Sequence, residues 1–257
     1  MENINLSLIS GDLLKEIYGD FAKPSVQSVG KALGEVFDIV FGGLSYYPKK
    51  GNILLKSNLE KYRKKLENVP VDNIITADPQ IGVPIVEKLK YTKNDDISEL
   101  FTTLLANASN SEKVESVHPA FISIIEQLAP DEAKIIEFLK GKDFVAYCDI
   151  KGIVKENRFR TLIKRATMIP FIVNLLYKDK EHVNTYIDNL IRLGILEDRE
   201  GIYKIDYPEY DTILKYYNYD ELKNKYVPNS YASIDVNKSY LEVTSFGKML
   251  ISACIKD

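Results

Sequence analysis

Cysteine is scarce in this 257-residue sequence: only Cys148 and Cys254 occur, far apart and outside any CxxC or Cys/His cluster. That scarcity excludes a disulfide framework and a structural zinc site, and it points to two thiols buried in a reducing compartment. Histidine is as rare, so His118 and His182 can share an acid–base or metal centre only if distant parts of the chain meet. An excess of one charge is also missing. Lys and Arg number 34 against 37 Asp and Glu, so no global field draws the chain onto nucleic acid and any such contact is local. No window of about 18 residues is free of charge, since even the most apolar stretch, 26–44, carries Lys31, Glu35 and Asp38, and a membrane-crossing helix is not expected. The start of the chain lacks the basic lead, apolar core and cleavage site of a secretory leader, so the expected location is the cytoplasm. Glycine-rich phosphate loops are absent as well: neither Gly42-Gly43 nor Gly30-x-x-x-Gly34 matches one, and no cofactor is expected.

What is present is an ordinary globular balance, with 45% hydrophobic and 28% charged residues, in a length that fits two modest domains. Ser10 caps a helix over 11–21, and Pro24 starts a second, in which Val26, Val29, Leu33, Val36, Phe37, Val40, Phe41 and Leu44 build one apolar face. Residues 52–69 form a basic helix with the thin apolar stripe Ile53, Leu54, Leu59, Tyr62 and Leu66. Asp78-Pro79 opens another helix, Asn94 or Asp95 the next, and His118-Pro119 and Ala129-Pro130 two more, each proline standing where a missing N–H costs little.

After Gly141 the texture becomes mixed. Phe144 to Tyr147 form a short β-prone run, and a basic stretch follows over 151–165. An amphipathic helix over 182–193 closes at Gly194, and 195–197 with 202–205 read as a hairpin around Arg199-Glu200-Gly201. A strand over 240–243 and a helix over 245–255 complete the chain. This order predicts a mainly α protein: a helical domain over 1–129, then a winged-helix domain over 130–257 with residues 207–239 inserted between the wing strands.

Several stretches resemble one bacterial family, the abortive-infection alpha proteins. They are Phe21-Ala22-Lys23-Pro24 with Val29-Gly30-Lys31-Ala32-Leu33-Gly34, Asp78-Pro79-Gln80-Ile81-Gly82-Val83-Pro84, Glu99-Leu100-Phe101 with Leu104-Leu105-Ala106, and a longer match from Ser116 to Lys134. Leu241-Glu242-Val243-Thr244-Ser245-Phe246-Gly247-Lys248 and Ala253-Cys254-Ile255 resemble its closing segment. The resemblance implies a role in defence against phage, in which an infected cell halts its own growth. It implies no catalytic residues.

The chemistry-bearing patterns are few. Asp143 with Asp149-Ile150-Lys151 has the form of a nuclease's metal-binding Asp…Asp-x-Lys, but without a third carboxylate nearby. Two basic clusters remain, one over 49–65 that includes Lys61 and Lys64, and one over 151–165 that includes Arg158 and Arg160. The helix in the recognition position carries Arg192 against Asp188, which is poor in phosphate contacts, so nucleic-acid binding is expected to be weak at most. The helix over 26–44, followed by Tyr46-Tyr47 and lysines, also has the order of a segment lying on an anionic membrane, with Phe37 on its apolar face. Gly30 and Gly34, one turn apart, leave a groove for close helix packing or self-association. The sequence therefore predicts a non-catalytic antiphage protein acting through an unidentified protein partner or the membrane surface, with homo-oligomerisation open. A winged-helix DNA-binding regulator and a metal-dependent nuclease toxin are the alternatives.

Overall fold

The computed structural model describes residues 49–154, 158–227 and 230–256. The helices expected over 11–21 and 26–44, with Gly30, Gly34 and Phe37, lie outside the described residues. The chain divides into two units, Met1–Pro130 with Ser252–Asp257, and Asp131–Ile251.

In the first unit the described residues form α1 (Lys49–Leu66), α2 (Pro79–Leu89), α3 (Asp95–Ala108) and α4 (Ala120–Ile125). The local signals act as read. Asp78 caps α2 by accepting the Gln80 N–H at 2.7 Å, with Pro79 in the first turn, and Asn94 caps α3 by accepting from Ile97 at 3.0 Å. Leu55, Leu59, Tyr62 and Leu66 follow helical spacing and are buried, so α1 turns one stripe inward against α3, whereas Ile53, expected in that stripe, is exposed and Leu55 begins it instead. Polar ties fix its rotation. Asn58 Nδ2 donates to the carbonyls of Leu89 at 2.8 Å and Thr92 at 3.0 Å, and the Tyr62 hydroxyl meets Ser109 Oγ at 2.8 Å.

The second unit departs from the sequence reading. It contains α5 (Pro130–Phe138), β1 (Phe144–Ile153), β2 (Phe159–Thr167), α6 (Ile169–Ile172), α7 (Lys180–Arg192), β3 (Leu196–Arg199), α8 (Glu209–Tyr216), α9 (Tyr219–Tyr226), β4 (Ser233–Val243) and α10 (Ser245–Cys254) up to Ile251, the rest of α10 belonging to the first unit. The four strands make one antiparallel sheet in the order β2-β1-β4-β3. The protein is thus mixed α and β rather than mainly α, and the winged-helix expectation is overturned.

Three physical reasons account for the difference. Within the basic stretch, 151–153 end β1 and 159–165 lie in β2, where Arg160 and Lys164 alternate with Phe159, Thr161 and Ile163 at the period of two that a sheet requires. The supposed wing does not close on itself: β3 pairs with β4, Leu196 opposite Val243, while 202–205 lies outside any strand with Ile202, Tyr203 and Ile205 exposed. Segment 207–239 does carry helices α8 and α9 between the paired strands β3 and β4, but its last part is already β4 and its helix α8 is part of the core, laying Tyr210 and Ile213 against Ala146, Cys148, Ala166 and Met168 on one face of the sheet. Cys148 is a free thiol in that core, and burial pushes its pKa up to about 12.

Candidate functional site

Strand β2 is where the second unit concentrates its unusual features. Cys148 pairs with Ala166 and Ile150 with Ile163, so β2 carries one residue more than β1 across this interval. The bulge includes Arg165, whose φ of 47° lies in the left-handed region that non-glycine residues rarely adopt. Its N–H turns to Asp149 Oδ1 at 2.8 Å. Its guanidinium, 8% exposed, donates from Nε and Nη2 to Asp198 Oδ2 at 3.1 and 2.8 Å and from Nη1 to Asp188. Tyr147 adds its hydroxyl to Asp198 Oδ1 at 2.5 Å. Burial opposes the arginine's charge, but the bonds to Asp188 and Asp198 outweigh it and hold the pKa above the ordinary value. Burial and the Asp198 carboxylate likewise raise the Tyr147 pKa, so the phenol stays protonated as a donor. The network ties β1, β2, β3 and α7 together and presents no free carboxylate pair to a metal.

The half of β2 before the bulge faces outward. As the first strand of the sheet order it has no strand on its outer side among the described residues. Phe159 is 59% exposed, with the Lys151 ammonium 5.0 Å from the centre of its ring. Arg160 and Lys164 are exposed and form no ion pair with a carboxylate among the described residues. Arg158 is exposed immediately before the strand. At the bulge end a neighbour takes a main-chain group: Asn184 Nδ2 of α7 donates to the Lys164 carbonyl at 3.2 Å. The Oδ1 of that amide is buried without a partner among the described residues.

The loop after α6 is organised by one carboxylate. Asp131, 1% exposed, accepts the N–H groups of Leu176 at 2.8 Å and Tyr177 at 3.0 Å and the Tyr186 hydroxyl at 3.2 Å. So anchored, the loop leaves the Leu176 and Tyr177 side chains exposed, with Tyr177 stacked on His182 at 4.8 Å.

The other residues singled out from the sequence fall into place locally. Lys61 donates to Asp95 Oδ1 at 2.8 Å and Ser98 Oγ at 2.6 Å, and Lys65 to Glu99 at 2.6 Å, so much of the first basic cluster is neutralised within its own unit. Lys64 is exposed with no carboxylate partner among the described residues. His118 Nδ1 accepts the Ala120 N–H at 3.1 Å at the start of α4, and His182 pairs with Asp179 at the start of α7 in the other unit. Asp143 and Asp149 are six residues apart along extended chain, about 20 Å at the usual rise, too far to share one ion. Asp143 binds Lys248, while Asp149 takes the Arg165 N–H. Among the described residues no group of three or more His, Cys, Asp and Glu side chains could hold a metal ion, and no helix is long and apolar enough to cross a membrane. Sequence reasoning missed the Arg165 network, whose partners Asp188 and Asp198 are 23 and 33 residues away.

The abortive infection alpha family profile matches residues 54–254, which spans both units. The chain belongs to the abortive infection alpha family. The match runs from within α1 to the end of α10, and it ties this abortive infection alpha chain to abortive infection without naming a target. No curated protein matches it. Among solved structures, an uncharacterised protein from the hydrocarbon-degrading marine bacterium Alcanivorax borkumensis SK2 is similar at 11% identity and a TM-score of 0.34, over 57% of this chain and 96% of that one.

Proposed function

We propose that this chain acts in abortive infection by binding rather than by catalysis, and that the outer edge of β2 receives an extended acidic segment of a protein partner. The observation that carries the reading is the exposed edge over 159–164, with Arg160 and Lys164 lacking carboxylate partners among the described residues. Main-chain hydrogen bonds to an added strand would supply affinity, and Phe159 an apolar contact. The cations supply selection more than strength, because exposed ion pairs contribute only about 0.2–1 kcal/mol each, while complementary charge steers encounter. A second copy of the same strand fits poorly, since it would set Arg160 and Lys164 against like charges. Nucleic acid is disfavoured by the net charge of −3.

The test is plaque protection by the full chain carrying Arg160→Glu and Lys164→Glu, both at exposed positions, beside the charge-preserving Arg160→Lys. Protection should disappear in the double reversal at unchanged thermal stability and persist in the lysine variant. Full protection by a folded double reversal would sink the reading. Tight, sequence-specific DNA binding at physiological salt would replace the protein partner with nucleic acid.

A further inference from the structure

Away from the β2 edge, the end of α5, the start of β1 and the start of α8 enclose a cleft of about 320 Å³. Phe138, Phe144, Met168 and Tyr207 form apolar walls, and Lys142 and Glu209 stand among them. The volume lies at the lower end of the roughly 300–1,000 Å³ of small-molecule sites, which leaves room for one compact molecule and not for a dinucleotide.

The charges around the cleft are unevenly satisfied. Glu209 accepts the Tyr207 hydroxyl at 2.8 Å, and Asp143 at the mouth is held by Lys248. Burial, and then the Glu209 carboxylate, push the Tyr207 pKa up to about 12, so that hydroxyl remains a donor committed to Glu209. The ammoniums are different. Lys142 stands 4.6 Å from the centre of the Phe138 ring, and Lys204 stands 5.1 Å from Phe144 and 4.4 Å from Tyr240. Neither forms an ion pair with a carboxylate among the described residues, although Lys204 is near enough to Asp143 to help hold that carboxyl below its ordinary value, and an ammonium resting on a ring keeps N–H donors for an anion. A cationic ligand would meet the Lys142 ammonium in the lining, with Lys204 outside it on the Phe144 ring, and two engaged carboxylates. A purely apolar one would leave the cations unanswered.

We propose that this cleft binds a small anion carrying a flat ring, with nucleoside monophosphates as the biological class that combines both parts in that size. The ring is buried against the aromatic walls, where edge and offset ring contacts are favourable, and the anionic group meets Lys142 and Lys204. The inference rests on residues other than those of the β2 edge, and either can fail alone.

The experiment is calorimetric titration of the full chain at low and physiological salt with AMP and UMP, with adenosine and inorganic phosphate as the two half-ligands. Both nucleotides should bind, each half-ligand about tenfold or more weaker. Lys142→Glu/Lys204→Glu, both at exposed positions, should weaken nucleotide binding by about tenfold or more. Ile172→Trp, at an exposed position lining the cleft, should weaken it without a change of charge. Circular dichroism and melting of each variant establish that it folds. The proposal is overturned if phosphate binds as well as the nucleotides, if the double reversal or the filled cleft binds like the wild type, or if no nucleotide binds at millimolar concentration.

Discussion

The main-chain N–H of Arg165 donates to the side chain of Asp149 at 2.8 Å, in the interval where β2 carries its extra residue opposite β1. A strand that bulges loses ladder bonds, and each buried N–H left unpaired would cost about 1–3 kcal/mol. Asp149 takes that N–H, and the twist produced by the bulge turns the guanidinium toward Asp188 and Asp198.

Replacing Arg165 by alanine should therefore destabilise the second unit by about 3 kcal/mol, the low end for breaking a buried pair, because Asp188 is 57% exposed and keeps much of its hydration. Arg165→Gly removes the same charge but tolerates positive φ, and it should be about 1 kcal/mol less damaging than alanine. Urea denaturation of both variants decides the matter. Equal losses would mean that the backbone at 165 stores no strain.

Asp131 gives the molecule an acid-sensitive point. Burial pushes its pKa up, but the N–H groups of Leu176 and Tyr177, then Lys134 and the Tyr186 hydroxyl, prevail and hold it below the ordinary carboxylate value. A depressed folded pKa means that its stabilisation is complete above the unfolded pKa of about 3.9 and is lost as pH falls from there through the folded pKa. Asp131→Asn should lower stability by about 2–3 kcal/mol at neutral pH, and the gap to wild type should narrow on acidification through that window. Melting curves against pH measure it, and a gap that stays constant would show that Asp131 does not titrate as described.

Gly247 reverses a familiar rule. In most helix interiors alanine in place of glycine adds about 0.5–1 kcal/mol, but a Cβ at 247 would lie 2.3 Å from the carbonyl oxygen of Ile195. That neighbour is backbone and cannot rotate away. Gly247→Ala should cost about 1–3 kcal/mol, read as a lowered melting temperature of the second unit. An unchanged or raised melting temperature would show that the helix and the 195 carbonyl can part without penalty.

Incubation of the full chain with DNA and RNA in the presence of Mg²⁺ or Mn²⁺ should give no measurable cleavage, and gel shifts should show weak binding that falls steeply as salt rises. Robust hydrolysis lost in Asp143→Ala, a substitution at an exposed position, would establish an enzyme where binding alone is proposed.

Much of the first unit was legible because its signals are local: Asp78 and Asn94 sit within three residues of the N–H groups they cap, and the α1 stripe keeps helical spacing. The second unit was less so. Its basic strand lies at a sheet edge, where cations can be solvated, and hydrophobic alternation fades there into a charge run. Arg199-Glu200-Gly201 does turn, with Gly201 at φ 78°, yet the chain continues to α8 instead of returning as a second wing strand. Nothing near Arg165 announces a left-handed residue, since glycine or asparagine would be the usual sign. Lys61 looked available because Asp95, which binds it, lies 34 residues downstream.

Residues 252–257 belong with the first unit, and there the Asn107 side-chain amide donates to the carbonyl of Ala253 at 2.9 Å. During synthesis the ribosome makes those residues only after all of 131–251, so the second unit has its entire sequence before the first unit has its last piece. The common order, in which the N-terminal part of a chain matures first, is thus inverted for part of this one. Until translation reaches Ala253, the Asn107 amide must turn to water, so α3 gains this partner only after all of 131–251 has been made.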